Sequence, residues 1–107
     1  MPGWFDLAQN KLDRGDKIQK SYFVKFDGKK GYLMMSNKKL LFVEEKGFIS
    51  KTYNLVLEIP YKKVSEVNVE RNQLVLGDGG GKNHNVAPVE VNISKIESSL
   101  KDLMESA

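Results

Sequence analysis

Few residues in this 107-residue chain could carry chemistry. The stretch Leu76-Gly77-Asp78-Gly79-Gly80-Gly81-Lys82-Asn83 invites a phosphate-cradling loop, in which backbone N–H groups wrap the phosphate and a lysine reaches it. Counting back from Gly81-Lys82, the first glycine of such a loop falls on Leu76, and the hydroxyl needed for magnesium falls on Asn83. The dinucleotide-binding pattern fails as well, because Lys82 occupies its third glycine position and no helix follows directly. A flexible hairpin loop is the expectation. His84 is the sole histidine, so a multi-histidine metal site within one chain is excluded. Asp78 lies close by, but one carboxylate and one imidazole do not make a site. No serine is set apart as the nucleophile that a Ser-His-Asp triad requires. Glu44 and Glu45 are adjacent carboxylates, yet neighbours on a strand point to opposite faces. With no cysteine, disulfides, thiolate metal sites and a cysteine nucleophile are excluded too. The expectation is no enzyme, no cofactor and no metal.

Contact chemistry is better represented than reaction chemistry. The segment Lys46-Gly47-Phe48-Ile49-Ser50-Lys51-Thr52 places an apolar pair between two lysines. An apolar tip with basic flanks suits an interfacial anchor; the competing reading folds Phe48 and Ile49 back into the core or packs them on a partner chain. The 17 basic and 14 acidic residues leave a net charge of +3. Such a balance permits attraction to anionic surfaces without requiring it, and dedicated nucleic-acid binders are more lopsided. No run approaches the ~18 apolar residues of a membrane span. No basic segment with an apolar core marks a signal peptide, and Pro2 stands where N-myristoylation requires glycine. The expected location is cytoplasmic, with attachment at the membrane periphery as its variant.

These residues must be positioned by short strands. The chain is organised around Lys30–Glu45, in which Tyr32-Leu33-Met34-Met35 and Leu40-Leu41-Phe42-Val43 flank the polar turn Ser36-Asn37-Lys38-Lys39. That reads as a tight hairpin, since Asn and Ser bond to their own backbone and tolerate turn geometry. Before it, Ile18, Tyr22, Val24 and Phe26 alternate as one buried face, with Phe23 as a large apolar residue on the outer side. Asp27-Gly28 is a strong hairpin-turn signal. After it, Tyr53, Leu55, Leu57 and Ile59 share one face of a strand that Pro60 ends. Val64, Val67 and Val69 mark a fifth strand, Arg71-Asn72 a turn, Leu74-Val75-Leu76 a sixth, and Asn83–Val86 a weak seventh. Trp4, Phe5, Leu7, Ala8 and Leu12 predict an N-terminal helix within 1–14. Its mixed charges favour packing on the domain over lying on a membrane. Ile93, Ile96, Leu100, Leu103 and Met104 form the stripe of a C-terminal helix over 92–105, and Ser94 with Glu97 fits a capping box. The predicted class is mainly β (α+β): one domain over 1–107 with a bent, seven-stranded antiparallel barrel at 16–90, capped by the last helix.

The order of elements and the motif Gly31-Tyr32-Leu33-Met34-Met35-Ser36-Asn37-Lys38-Lys39-Leu40-Leu41-Phe42 resemble the pleckstrin-homology (PH)-like superfold, in particular its prokaryotic PH-like and GRAM-like domains. Ile59-Pro60 followed by Val64 and Val67 is similar as well. The resemblance implies that the loops after the first, third and sixth strands gather at the open end, namely Asp27–Lys30, Glu45–Thr52 and Gly77–Asn83. The candidate interaction residues are then Lys29, Lys30, Lys46, Phe48, Ile49, Lys51 and Lys82. Five lysines against Asp27, Glu45 and Asp78 leave these loops a formal charge of +2. The basic signature of phosphoinositide-binding members ends in an arginine where this chain has Tyr32, and the tryptophan of the eukaryotic final helix is missing. The expected function is a non-enzymatic module that binds a protein or peptide, its own copy included. Binding of an anionic lipid surface is the alternative, and single-stranded nucleic acid ranks last.

Overall fold

A computed structural model describes residues 3–107; Pro2, read above against N-myristoylation, lies outside them. Among the described residues, helix α1 (Trp4–Gln9) precedes strands β1 (Ile18–Phe26), β2 (Lys29–Ser36), β3 (Lys39–Lys46) and β4 (Thr52–Pro60). A 3-10 turn at Tyr61–Lys63 leads into β5 (Glu66–Glu70), β6 (Gln73–Gly77), β7 (Asn83–Pro88) and helix α2 (Ile93–Ser106). The seven strands form one antiparallel sheet in the order β4-β3-β2-β1-β7-β6-β5. This is the mainly β architecture that the alternating pattern predicts. The N-terminal helix is shorter than its apolar spacing suggests: it ends at Gln9, leaving Leu12 in the loop beyond.

Why β2 and β3 read as unbroken apolar runs is now plain, because both faces of this hairpin are covered. On one face Leu33, Met35, Leu40 and Phe42 join Tyr22, Val24, Phe26, Leu74, Leu76 and Val86, closed off by Ile93, Ile96 and Leu100 of α2. On the other face Met34, Leu41 and Val43 pack with Ala8 of α1, ringed by Trp4, Leu7, Leu12, Tyr32, Tyr53 and Leu55. A strand buried on both sides loses its period of two. The first helix thus packs on the sheet, as its mixed charges suggest.

Two bulges alter the faces read from alternation. In β4 the register steps from Phe42 opposite Leu57 to Val43 opposite Leu55, so Val56 is the extra residue. Leu57 and Ile59 consequently belong to the main core, whereas Tyr53 and Leu55 turn to the α1 side. A similar step between Ile18 and Lys20 in β1 sends Ile18 to the α1 side, away from Tyr22, Val24 and Phe26. The capping box is also corrected: the N-cap is Asn92, whose side-chain oxygen accepts from the Ser94 N–H at 3.0 Å. Ser94 is inside the helix.

The β2–β3 turn is built around a buried carboxylate. Asp16, only 4% exposed, accepts from the Asn37 N–H at 2.8 Å and the Lys17 N–H at 2.9 Å through Oδ1. Its Oδ2 accepts from the Ser36 hydroxyl at 2.8 Å. Ser36 Oγ in turn accepts from the Lys38 and Lys39 N–H groups at 3.2 and 3.0 Å. From the other side the Tyr61 hydroxyl donates to the Ser36 carbonyl at 2.6 Å. Burial, then the charge of Asp16, pushes that phenol above its ordinary range.

Candidate interaction surface

The strand ladders bring three loops to the end of the sheet opposite the Asp16 turn. Lys25 faces Lys30 across β1–β2, Gly31 faces Glu44 across β2–β3, and Lys46 faces Thr52 across β3–β4. The β1–β2 turn and the β3–β4 loop therefore leave the sheet on the same side. β7 enters beside the end of β1, with Phe26 opposite Val86, so the β6–β7 loop arrives there too.

Asp27 and Gly28 both have positive φ, 51° and 83°, the geometry of a tight hairpin turn compatible with strand twist. Lys29 and Lys30 follow as exposed residues at the start of β2. In the β3–β4 loop, Gly47 has φ 99°, and a Cβ there would collide with the Ser50 carbonyl. Only glycine lets the chain fold back so tightly. The return throws Phe48 and Ile49 outward, with relative exposures of 98% and 101%. Lys51 holds Glu45 at 3.0 Å, and Lys46 reaches Glu44 at 4.0 Å. The hydrogen bond to Glu45, and then its charge, raises the Lys51 ammonium. Lys29, Lys30 and Lys82 make no ion pair among the described residues.

The β6–β7 loop is an ordered return. Asp78 Oδ1 accepts from the Gly80 N–H at 2.8 Å and the Lys82 N–H at 3.3 Å, while the Asp78 N–H donates to the Lys82 carbonyl. The Gly80 hydrogen bond and then the contact with His84 hold the Asp78 carboxyl below its ordinary value. His84 sits between two carboxylates: Nδ1 is 2.7 Å from Asp27 Oδ2, and Nε2 is 3.0 Å from Asp78 Oδ2. With both nitrogens engaged, the ring keeps no lone pair free for a general base. Among the described residues, no group of three His, Asp or Glu side chains is placed to hold a metal.

Beside these loops the outer face of the sheet is aromatic. Trp4 stacks on Tyr32 at 4.0 Å between ring centroids and 10° between planes, and Phe23 meets Tyr32 edge-on at 5.1 Å. Burial and then the charge of Glu45 raise the Tyr32 phenol. The structure thus brings the β1–β2 lysines, the Phe48-Ile49 tip and Lys82 to one end of the sheet. Sequence reasoning missed two networks, Asp16–Ser36–Tyr61 and Asp27–His84–Asp78. Asp27 next to Gly28 had a sufficient explanation as a turn residue, which concealed its second role.

The family model described as "Bacterial PH domain" matches residues 12–99. The match spans all seven strands and the first half of α2, and leaves α1 outside. No curated protein matches the chain. Among the described residues no helix is long and apolar enough to cross a membrane. A seven-stranded antiparallel sheet capped by a C-terminal helix, with its loops gathered at one end and a family match along most of its length, identifies the chain as a member of the bacterial PH domain family.

Proposed function

We propose that the chain is a non-enzymatic binding module that adsorbs to anionic lipid surfaces, at the periphery of the membrane and from the cytoplasm. The complete exposure of Phe48 and Ile49 between Lys46 and Lys51 carries this reading. Burying a large apolar side chain is worth ~1.5–3 kcal/mol, so this pair offers ~3–6 kcal/mol to an environment that takes it up. A stable protein interface needs roughly 800 Å² on each partner, far more than a two-residue tip supplies. A bilayer takes up even a small apolar protrusion. The loop lysines without ion pairs among the described residues, Lys29, Lys30 and Lys82, add about 1 kcal/mol each near an anionic leaflet. Lys46 and Lys51 add less, since each faces a carboxylate.

A second reading, binding of a protein or peptide, is favoured by the outer aromatic face. There Phe5 is 45% exposed, and Phe23 is half-buried beside Tyr32. Co-sedimentation with vesicles separates the two. The lipid reading expects binding to vesicles containing anionic lipid, weakening as salt rises, and little binding to neutral ones. No binding to anionic vesicles at low salt rejects it and leaves the aromatic face as the place to look for a partner.

A further inference from the structure

We propose that His84 is a protonation-operated clamp: as an imidazolium it ties the β1–β2 turn to the β6–β7 loop, and on losing its proton it releases the loop. The geometry needs two donors. A neutral imidazole has one N–H and one lone pair, yet Nδ1 lies 2.7 Å from a carboxylate oxygen of Asp27 and Nε2 lies 3.0 Å from one of Asp78. In the neutral ring one of these contacts becomes lone pair against carboxylate. The ring cannot easily turn away, since it stacks on Phe26 at 5.1 Å and its side chain is only 12% exposed.

The two carboxylates are not equally held. Asp27 is fastened to β7, its N–H donating to the Asn85 carbonyl at 2.8 Å and its Oδ1 accepting from the Asn85 N–H at 2.8 Å. Asp78 is fastened within its own glycine-rich loop, to Gly80 and Lys82. Deprotonation therefore keeps Nδ1–H on Asp27 and frees the Asp78 side, and with it the loop that carries Lys82. Asp27 and Asp78 are the charged groups acting on the ring. Phe26 of β1 stacks on it and Leu76 of β6 is its cross-strand partner, both without charge, and Lys82 lies two residues before it in the chain. Burial draws the imidazolium down, but its hydrogen bonds to both carboxylates and their charges outweigh it, so the net shift is upward. This inference stands apart from the lipid reading.

Because His84 is the sole histidine, nitrogen NMR of the ring reads both sites directly. The expected result is two protonated nitrogens at pH 6, a midpoint above the ordinary value of about 6.5, and faster exchange of the hydrogen-bonded loop amides of Asp78, Gly80 and Lys82 through the same midpoint, beyond the intrinsic rise with pH. Asp78→Asn lowers the midpoint by roughly one pH unit. A midpoint at or below 6.5, or loop protection indifferent to it, overturns the proposal. The wild-type titration alone decides the matter if that variant does not fold.

Discussion

Removing the Asp16 carboxylate tests how the central hairpin is held. In Asp16→Ala the Asn37 N–H and the Ser36 hydroxyl lose a charged acceptor at 2.8 Å each, and the Lys17 N–H loses one at 2.9 Å. Hydrogen bonds to charged groups contribute ~1.5–3 kcal/mol each. Three offsets reduce the sum. Asn37 and Lys17 are exposed and can turn to water, Ser36 Oγ has a second acceptor in the Lys39 carbonyl at 3.2 Å, and a buried charge is removed along with its desolvation cost. The expected loss is therefore ~2–3 kcal/mol. For a domain of this size that is a fall in Tm of roughly 10–20 °C. Urea unfolding with an unchanged slope is the assay. Ser36→Ala should lose about 1–2 kcal/mol, and the double variant less than the two losses added, because both act on one network. A loss below about 0.5 kcal/mol in Asp16→Ala, or strict additivity with Ser36→Ala, would refute the reasoning.

Other outcomes follow from single features. At Gly31 an added Cβ meets the Val43 carbonyl oxygen, the Phe42 ring and Glu44 Cα, so Gly31→Ala should cost about 1–3 kcal/mol by overpacking, read by thermal melting; a neutral result would mean that β2 and β3 can part there. Asn92→Ala removes the cap of α2 and should cost ~1 kcal/mol, and Asn92→Ser should recover most of it. For His84 the folded-state value is raised, so its stabilising contribution is fully present below pH ~6.5 and lost as pH rises through the raised value. Denaturant melts of wild type and His84→Gln should accordingly differ most near pH 5.5 and converge near pH 9; a constant gap contradicts the linkage.

The parts of this fold legible in the sequence are those written in local patterns. Asp27, Gly28 and Asn72 mark turns as residues that tolerate positive φ, and Ile93, Ile96 and Leu100 mark the buried stripe of α2. What escaped was written in pairings between distant residues. A bulge adds one residue without a compositional sign, so nothing in Tyr53-Asn54-Leu55-Val56-Leu57 announces that Val56 separates two faces. Asp16 and Ser36 are twenty positions apart, and Asp27 and His84 fifty-seven. Ser36 and Asp27 each have an adequate local reading as turn residues, which hides the distant partner. The loops holding Lys29, Lys30, Phe48, Ile49 and Lys82 could be named from order and resemblance. The exposure of Phe48 and Ile49 depends on how Gly47 turns the chain, and a polar-apolar pattern does not record that.

The most direct measurement is vesicle co-sedimentation of wild type against a Phe48→Ser, Ile49→Ser double variant, with anionic lipid at low salt. Both side chains lie wholly outside the core, so the variant should melt with the wild type. Its binding should fall at least tenfold, since ~1.4 kcal/mol corresponds to tenfold in affinity and the pair offers more than that. Equal binding by the two proteins contradicts the claim that this tip is where the molecule meets its target.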